Sequence, residues 1–328
     1  MKRQYAVCGI GNALVDTEIE INDTDLESLG IEKGVMTLID DERFTDLLKN
    51  FQDKAHKQAC GGSAANTIIT AQQFGAQTYY TCRVSSDETG RFYTRDLLRN
   101  GVTSNLDDTN LPEGDTGMCL VMITPDAERT MNTFLGITAT LSPEDLDKTA
   151  ISNSEYIYLE GYLAGSETGL EAAVEAKKTA LETNTKTALS FSDPNMIQFC
   201  RAGIERMLEP HGVDVLFCNH AEAQMYTVEE SPEKAAEALK SLAKVSAITL
   251  GKDGALITTL EDQIKVTSPT VTAIDTNGAG DTFAGAFLAA LSQGASLEEA
   301  GTLGCKAAAQ VVTKFGPRLT QELANSLK

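Results

Sequence analysis

The run Asp275-Thr276-Asn277-Gly278-Ala279-Gly280-Asp281-Thr282-Phe283-Ala284-Gly285 sets a carboxylate at the mouth of a glycine turn that opens a helix. Gly278, Ala279 and Gly280 leave their backbone N–H groups unshielded, and a helix N-terminus attracts anions. The apolar residues Phe283, Ala284, Ala286, Phe287, Leu288, Ala290 and Leu291 predict a packed helix behind the turn. An acid in that positive field would repel a phosphate unless it took part in the reaction. Accepting a proton from an attacking hydroxyl is the task that fits. Asp281 is the candidate base, and the chemistry is phosphoryl transfer. A tight turn with Asp281 as an ordinary helix cap accounts for the same residues.

Four further clusters carry polar groups suited to ligands. Gly9-Ile10-Gly11-Asn12-Ala13-Leu14-Val15-Asp16 begins like a dinucleotide fingerprint, but Leu14 stands where the third glycine belongs and no helix follows. What remains is Asn12 and Asp16 at a strand tip, able to grip a polyhydroxy substrate or to stabilise a turn. In Cys60-Gly61-Gly62-Ser63-Ala64-Ala65-Asn66, paired glycines let backbone approach a ligand, and Asn66 falls in the first turn of the following helix. Ser63 as the N-cap is the plain alternative. Asn219-His220-Ala221-Glu222 fits an Asn-type capping box or a carboxylate that holds waters around Mg²⁺ near a triphosphate. Thr249-Leu250-Gly251-Lys252-Asp253-Gly254 ends a strand in a turn that admits a nucleotide or simply closes a hairpin. Arg129 could swing over a transferring phosphoryl, or pair with Glu128 on the surface.

The elements that must hold these groups are legible as a pattern. From about residue 55, short β-branched runs alternate with amphipathic helical runs, which predicts a mainly parallel sheet covered by helices. Strands are expected over residues 77–82, 155–159, 187–191, 213–218 and 247–250. Helix starts are expected at Ser142-Pro143-Glu144-Asp145, at Ser231-Pro232-Glu233 and at the capping box Ser296-Leu297-Glu298-Glu299. Residues 13–39 and 115–136 break the alternation. They read as consecutive strands without intervening helices, over 17–21, 35–39, 118–123 and 129–134. Paired together they make a lid over the carboxyl edge of the main sheet, or they are its edge strands.

Composition narrows the partners. The chain has 328 residues, 42% of them hydrophobic, enough for one large α/β domain plus an appendage. A formal charge of −20, with no block of Lys or Arg, excludes nucleic acid as an expected partner. No stretch approaches a membrane span or a signal h-region, so a soluble, cytoplasmic protein without membrane contact is expected. The 7 cysteines lack CxxC pairs and read as reduced core residues. His56, His211 and His220 have no zinc-ligand spacing.

Taken in this order, the clusters resemble the ribokinase family of PfkB-type carbohydrate and nucleoside kinases over essentially the whole chain. Gly61-Gly62-Ser63-Ala64-Ala65-Asn66 and Asp275-Thr276-Asn277-Gly278-Ala279-Gly280-Asp281 match its two signatures, with Asn219 and Glu222 between them. Coincidence at four places outweighs capping explanations that suffice singly. The resemblance implies a ribokinase-like α/β fold, a three-layer doubly wound mainly parallel sheet with a small β lid. The large domain is then 1–12, 40–114 and 137–328, and the lid is 13–39 and 115–136. It implies ATP-dependent phosphorylation of a primary hydroxyl, with Mg²⁺ and in some members K⁺.

By the same resemblance Asp281 is the base, and Gly278, Ala279 and Gly280 form the anion hole. Asn12, Asp16, Gly62, Ser63 and Asn66 hold the acceptor hydroxyls, joined by Arg129 and Tyr162. Asn219, Glu222, Thr249, Gly251 and Gly254 serve the nucleotide. Glu222 organises Mg²⁺ through water, and Asp275 is the position for K⁺. The opening Gly11-Asn12-Ala13-Leu14-Val15-Asp16 and the Asn277 form of the late signature are similar to the adenosine kinase-like branch. That implies a purine nucleoside, adenosine first, with its base against Met36, Phe134 or Tyr162. The segment Glu160-Gly161-Tyr162-Leu163-Ala164-Gly165 lacks the paired aromatics of that branch. A ribokinase-like sugar kinase is the alternative, and an inactive nucleoside-binding regulator the alternative from another class. Either a monomer or a homodimer through the lid is compatible.

Overall fold

The computed structural model describes residues 3–51, 55–126 and 128–328; the side chains of residues 55–57, His56 among them, lie outside the description. The strands are β1 (Tyr5–Ile10), β2 (Leu14–Glu20), β3 (Met36–Leu38), β4 (Ala55–Gly61), β5 (Thr78–Thr81), β6 (Thr103–Ser104) and β7 (Gly117–Ile123). They continue as β8 (Arg129–Phe134), β9 (Ser154–Glu160), β10 (Lys186–Ser190), β11 (Val213–Asn219), β12 (Ala243–Thr249), β13 (Ala255–Thr259) and β14 (Gln263–Val266).

Nine of them form one sheet in the order β14-β13-β12-β11-β10-β9-β1-β5-β6. It is parallel from β6 to β12 and antiparallel at β13 and β14. Central strands read as continuous apolar runs because both of their faces are covered. On β9, Tyr156 and Tyr158 pack against one helical layer and Ile157 and Leu159 against the other. The helices Ser63–Gln73, Ala279–Ser292 and Leu297–Val311 lie on the first face, and Glu167–Glu182, Pro194–Leu208 and His220–Thr227 on the second. This is the expected three-layer architecture.

The other five strands form a second sheet, β3-β8-β7-β2-β4. Two features of it differ from expectation. The strand runs of 13–39 are not consecutive, because the helix Asp23–Leu29 stands between them. Its Asn22 cap forms a reciprocal box with Asp25, and Gly30 ends it at φ 66°. Second, β4 falls within residues 40–114, expected in the large domain, yet it pairs antiparallel with β2, Leu14 opposite Gly61. Its Gln58-Ala59-Cys60-Gly61 end has no apolar alternation to announce a strand.

One face of the smaller sheet buries Ile19, Leu120 and Met122 against Leu26, Phe44, Leu47 and Phe51 of its own two helices, Asp23–Leu29 and Asp41–Phe51. The opposite face, with Asp16, Cys119, Arg129, Met131 and Thr133, turns toward the large sheet. Start signals elsewhere perform as read at Ser231 and Ser296, whereas Ser142 opens only a 3₁₀ turn over Pro143–Asp145. All seven cysteines are free, six of them buried and Cys200 half-buried. No described helix is long and apolar enough to cross a membrane.

Candidate active site

The expected residues gather at the carboxyl ends of the parallel strands, where open α/β sheets bind ligands. Asn12 follows β1, Glu160 ends β9, Ser192 follows β10, Asn219 ends β11 and Thr249 ends β12. A cleft between the two sheets is lined by Asn12, Asp16, Gly62, Ser63, Asn66, Arg129, Tyr162 and Asp281. Met36 also lines it. Phe134 does not: on β8 the alternation sends Arg129, Met131 and Thr133 into the cleft and Phe134 to the opposite face, against Phe44. Among the described residues a single aromatic ring, Tyr162, therefore borders the cleft, beside the aliphatic and thioether side chains of Met36, Leu38, Met131, Leu135 and Met196.

Asp281 is placed by contacts from a distant helix. Gly278 is the N-cap of the helix Ala279–Ser292, and Asp281 makes no capping bond. Its Oδ1 accepts from Ser63 Oγ at 2.7 Å and its Oδ2 from Asn66 Nδ2 at 3.1 Å. Ser63 is thus not the N-cap of its helix, a position taken by Gly62 without a side-chain bond. The hydroxyl is spent on Asp281 instead. Gly278 has φ 72° and a Cβ there would overlap Pro317, so only glycine fits the turn.

Asp275, fully buried, accepts from Asn277 N at 2.8 Å and Gly316 N at 2.9 Å, which braces the start of the turn. Arg129 reaches across from the smaller sheet and donates to Asn277 Oδ1 at 3.2 Å, in place of a surface pairing with Glu128. That leaves Asn277 Nδ2 buried at the cleft without an acceptor among the described residues. Asn277 belongs to the motif, yet its side chain had no role in the sequence reading.

Two more residues were missed. Glu160, fully buried, accepts from Asn12 N and from Ala64 N, both at 2.7 Å, and so ties the acceptor strand tip to the Gly62 turn. Arg318 donates to Asn66 and Asp96, and to the carbonyl of Cys60. Arg318 stands 252 residues from Asn66, beyond any local pattern.

The cleft is dense in carboxyl groups. Burial pushes Asp16 up to about 7, against the nearby Arg318. Burial likewise lifts Glu160 to about 7, against the two backbone donors. Asp281 is raised by burial, with the bonds from Ser63 and Asn66 and the charges of Arg129 and Arg318 pulling it back. Burial thus makes Asp281 more basic than an ordinary carboxyl, and those bonds and charges limit the rise.

A second cavity, of about 520 Å³, lies on the other side of the glycine turn. Thr249, Gly251, Gly254, Ala279 and Gly280 border it, with Val271, Phe283, Ala309 and Val312 as apolar wall. The Thr249–Gly254 turn also closes the hairpin between β12 and β13. Asn219 borders an adjoining cavity that shares Thr249 and Gly251. Asn219 and Glu222 form the capping box, with Asn219 Nδ2 donating to Glu222 at 2.6 Å. Burial lifts Glu222 to about 7.

A doubly wound sheet, a covering second sheet and a helix N-terminus between two cavities thus form one two-sided site. The chain belongs to the pfkB family of carbohydrate kinases, whose pattern it matches over residues 25–323. It is a phosphotransferase with an alcohol group as acceptor. The crystal structure of adenosine kinase from Sinorhizobium meliloti superposes with a TM-score of 0.92 at 33% identity, covering 98% of each chain. The adenosine kinase of Schizophyllum commune is 27% identical over 96% of both chains. The ribokinase of Staphylococcus aureus (strain COL) is 27% identical over 80% of this chain and 85% of its own. The resemblance to the adenosine kinase-like branch is thereby upheld.

Proposed function

We propose that the chain transfers the γ-phosphoryl of ATP to the 5′-hydroxyl of a purine nucleoside, adenosine first. The observation that carries this reading is one helix turn bordering both cavities. Ala279 and Gly280 line the second cavity, and Asp281, in the next position, lines the cleft. A triphosphate on one side and a hydroxyl on the other meet at that turn. The cleft is also two-sided, with amides and carboxylates at Asn12, Asp16 and Asn66 and an apolar cover of Met36, Leu38, Met131 and Leu135. A nucleoside has the matching halves, a polyhydroxy ribose and a flat apolar base.

In this reading Asp16 accepts from the ribose hydroxyls and Asn12, Gly62 and Asn66 fix their direction. Asp281 takes the proton of the 5′-hydroxyl as its oxygen attacks. The N–H groups of Gly278, Gly280 and Asp281 hold the charge of the phosphoryl in transit, where one well-aimed donor is worth about 10²–10³ in rate; that of Ala279 donates to Thr276 O at 3.3 Å in this structure and joins them only if that bond gives way. Arg129 and the Nδ2 of Asn277 face the same space. Thr249, Gly251 and Gly254 receive the nucleotide.

No group of three metal-ligating side chains occurs among the described residues, which suits Mg²⁺ arriving on the triphosphate and touching protein through water on Asn219 and Glu222. Bound there, magnesium neutralises phosphate charge. For K⁺ the chain offers Asp275, whose oxygens already hold two backbone amides. Rates in potassium and in tetramethylammonium buffers measure that dependence. The smaller sheet, as a lid, excludes water and suppresses ATP hydrolysis without acceptor. A monomer or a homodimer through the lid, a cytoplasmic location and a place in purine salvage accompany this reading.

One observation favours a smaller acceptor, a free sugar. The cleft encloses about 100 Å³, against about 520 Å³ for the second cavity. A panel of radiolabelled acceptors decides between them. Turnover of adenosine is expected; adenosine untouched while a free pentose or hexose is phosphorylated overturns the nucleoside assignment.

A further inference from the structure

We propose that Arg318 is a positioning residue for phosphoryl transfer, orienting the Asp281 carboxylate through the amide of Asn66. This rests on Asp281 as the base. Arg318 follows the last long helix, on a segment whose neighbours also touch the glycine turn. Gly316 N donates to Asp275, and Pro317 packs over Gly278. The Arg318 side chain is only 11% exposed and makes three kinds of contact. Its Nη1 donates to Asp96 Oδ2 at 2.8 Å, its Nη2 to Cys60 O on β4, and its Nε to Asn66 Oδ1 at 3.1 Å.

The last bond decides the polarity of a chain of groups. Guanidinium has donors only and an ionised carboxylate acceptors only, whereas an amide has one end of each kind. With the Asn66 oxygen held by Arg318, its Nδ2 must point away, and there it donates to Asp281 Oδ2 at 3.1 Å. A reversed amide would set its oxygen against the carboxylate and its NH₂ against the guanidinium. Asp96 anchors the far end: burial works to raise it, but Arg318 and the bonds from Cys60 hold it below the usual carboxylate range. No part of Arg318 lines the cleft or the second cavity.

The charges around Asp281 come from several elements. Arg129 on β8 and Arg318 favour its ionised form, while Asp16 on β2, Glu160 on β9 and Glu222 on the helix after β11 are close enough to oppose it. The phenols of Tyr158 and Tyr162 feel the same carboxylate. Removing Arg318 takes away one of the two arginines that favour the ionised forms of Asp16 and Asp281.

The experiment combines steady-state kinetics with selective ¹³C-Asp NMR titration, Asp281→Asn supplying the assignment. In Arg318→Gln, kcat is expected to fall on the order of 10²-fold, the loss typical of about 1 Å of misplacement. The KM for ATP is expected to stay within about threefold, and the Asp281 carboxyl to titrate at higher pH. Arg318→Lys keeps the charge but cannot bond Asn66, Asp96 and Cys60 together, so the titration stays near wild type while kcat remains lowered. If Arg318→Gln does not fold, Asp96→Asn decides, with a several-fold loss of kcat expected at unchanged ATP KM. Wild-type kcat and an unshifted Asp281 in the folded Arg318 variant, with Asp281→Asn inactive, overturn the positioning role alone. Near-normal kcat in Asp281→Asn overturns the reading of the site on which it rests.

Discussion

The two cavities that flank the glycine turn are built from different materials. The cleft is made of side chains: Asn12, Asp16, Asn66, Arg129 and Asp281, contributed by both sheets and held by Glu160 and Arg318. The second cavity has more glycine and small apolar residues in its wall, Gly251, Gly254, Ala279, Gly280, Val271 and Ala309, beside the polar Thr249, Lys252 and Asp253. A ligand gripped by side chains can be exchanged by substitution, whereas a ligand gripped by amides depends on the path of the chain. That contrast explains how relatives named for adenosine and for ribose can share one framework. In the proposed reading the donor side is the part such relatives would share, and the acceptor side the part where they would differ.

The sharpest test of the contrast is Asp281→Asn, which removes the base while every amide donor stays. Turnover is expected to drop by about 10²–10⁴ with nucleotide binding retained, read from kcat and from ATP binding by calorimetry. Next in size is Asp16→Ala. Loss of a carboxylate that accepts from two hydroxyls, each bond worth about 1.5–3 kcal/mol, should raise the acceptor KM on the order of 10²-fold and leave that for ATP nearly unchanged. Equal loss of affinity for both substrates would blur the division.

On the glycine-rich side, Gly278→Ala places a Cβ on a left-handed residue that faces Pro317, costing about 1–2 kcal/mol in the backbone alone, to be read as a lowered Tm together with lost turnover. Thr249→Val should be milder, removing one neutral hydrogen bond worth about 1 kcal/mol and raising the KM for ATP roughly five-fold.

The last test reads stability against pH instead of rate or affinity. Asp16, Glu160 and Glu222 are raised to about 7 from 3.8, 4.5 and 4.5, so the native protein keeps protons that the unfolded chain has already lost. Their contribution to stability is therefore fully present at low pH, declines as pH rises through the interval from about 4 to 7, and is flat above. Tm followed from pH 5 to 8 should fall less steeply in Asp16→Asn than in wild type.

What the sequence makes legible follows the range over which its patterns act. Asp281, Gly278 and Gly280 lie within four residues of one another, and the turn chemistry that joins them is local. The alternating strands of the large sheet announce themselves for the same reason. Phe134 was misplaced because its neighbours allow either face until the register of β8 is known. The helix at Asp23–Leu29 carried a readable signal, Asn22 with Asp25, that went unused beside the stronger strand runs. Glu160 looks like the polar end of an apolar strand, and Arg318 like any surface cation near a terminus. Their partners lie 148 and 252 residues away, so only the folded chain brings out their roles.

The passage between the sheets has a mechanical meaning. β1 leaves the large sheet at Ile10, and only Gly11, Asn12 and Ala13 separate it from Leu14 in the smaller one. The return crossing, from β4 into the helix Ser63–Gln73, is Gly62 alone. Both crossings carry residues that face the cleft. In the proposed reading an acceptor bonded to Asn12 and Asp16 would be a strut across a joint, its binding free energy added to whatever angle it braces. Filling the cleft then stiffens the molecule where it is jointed, and the small molecule serves as a structural member for as long as it stays.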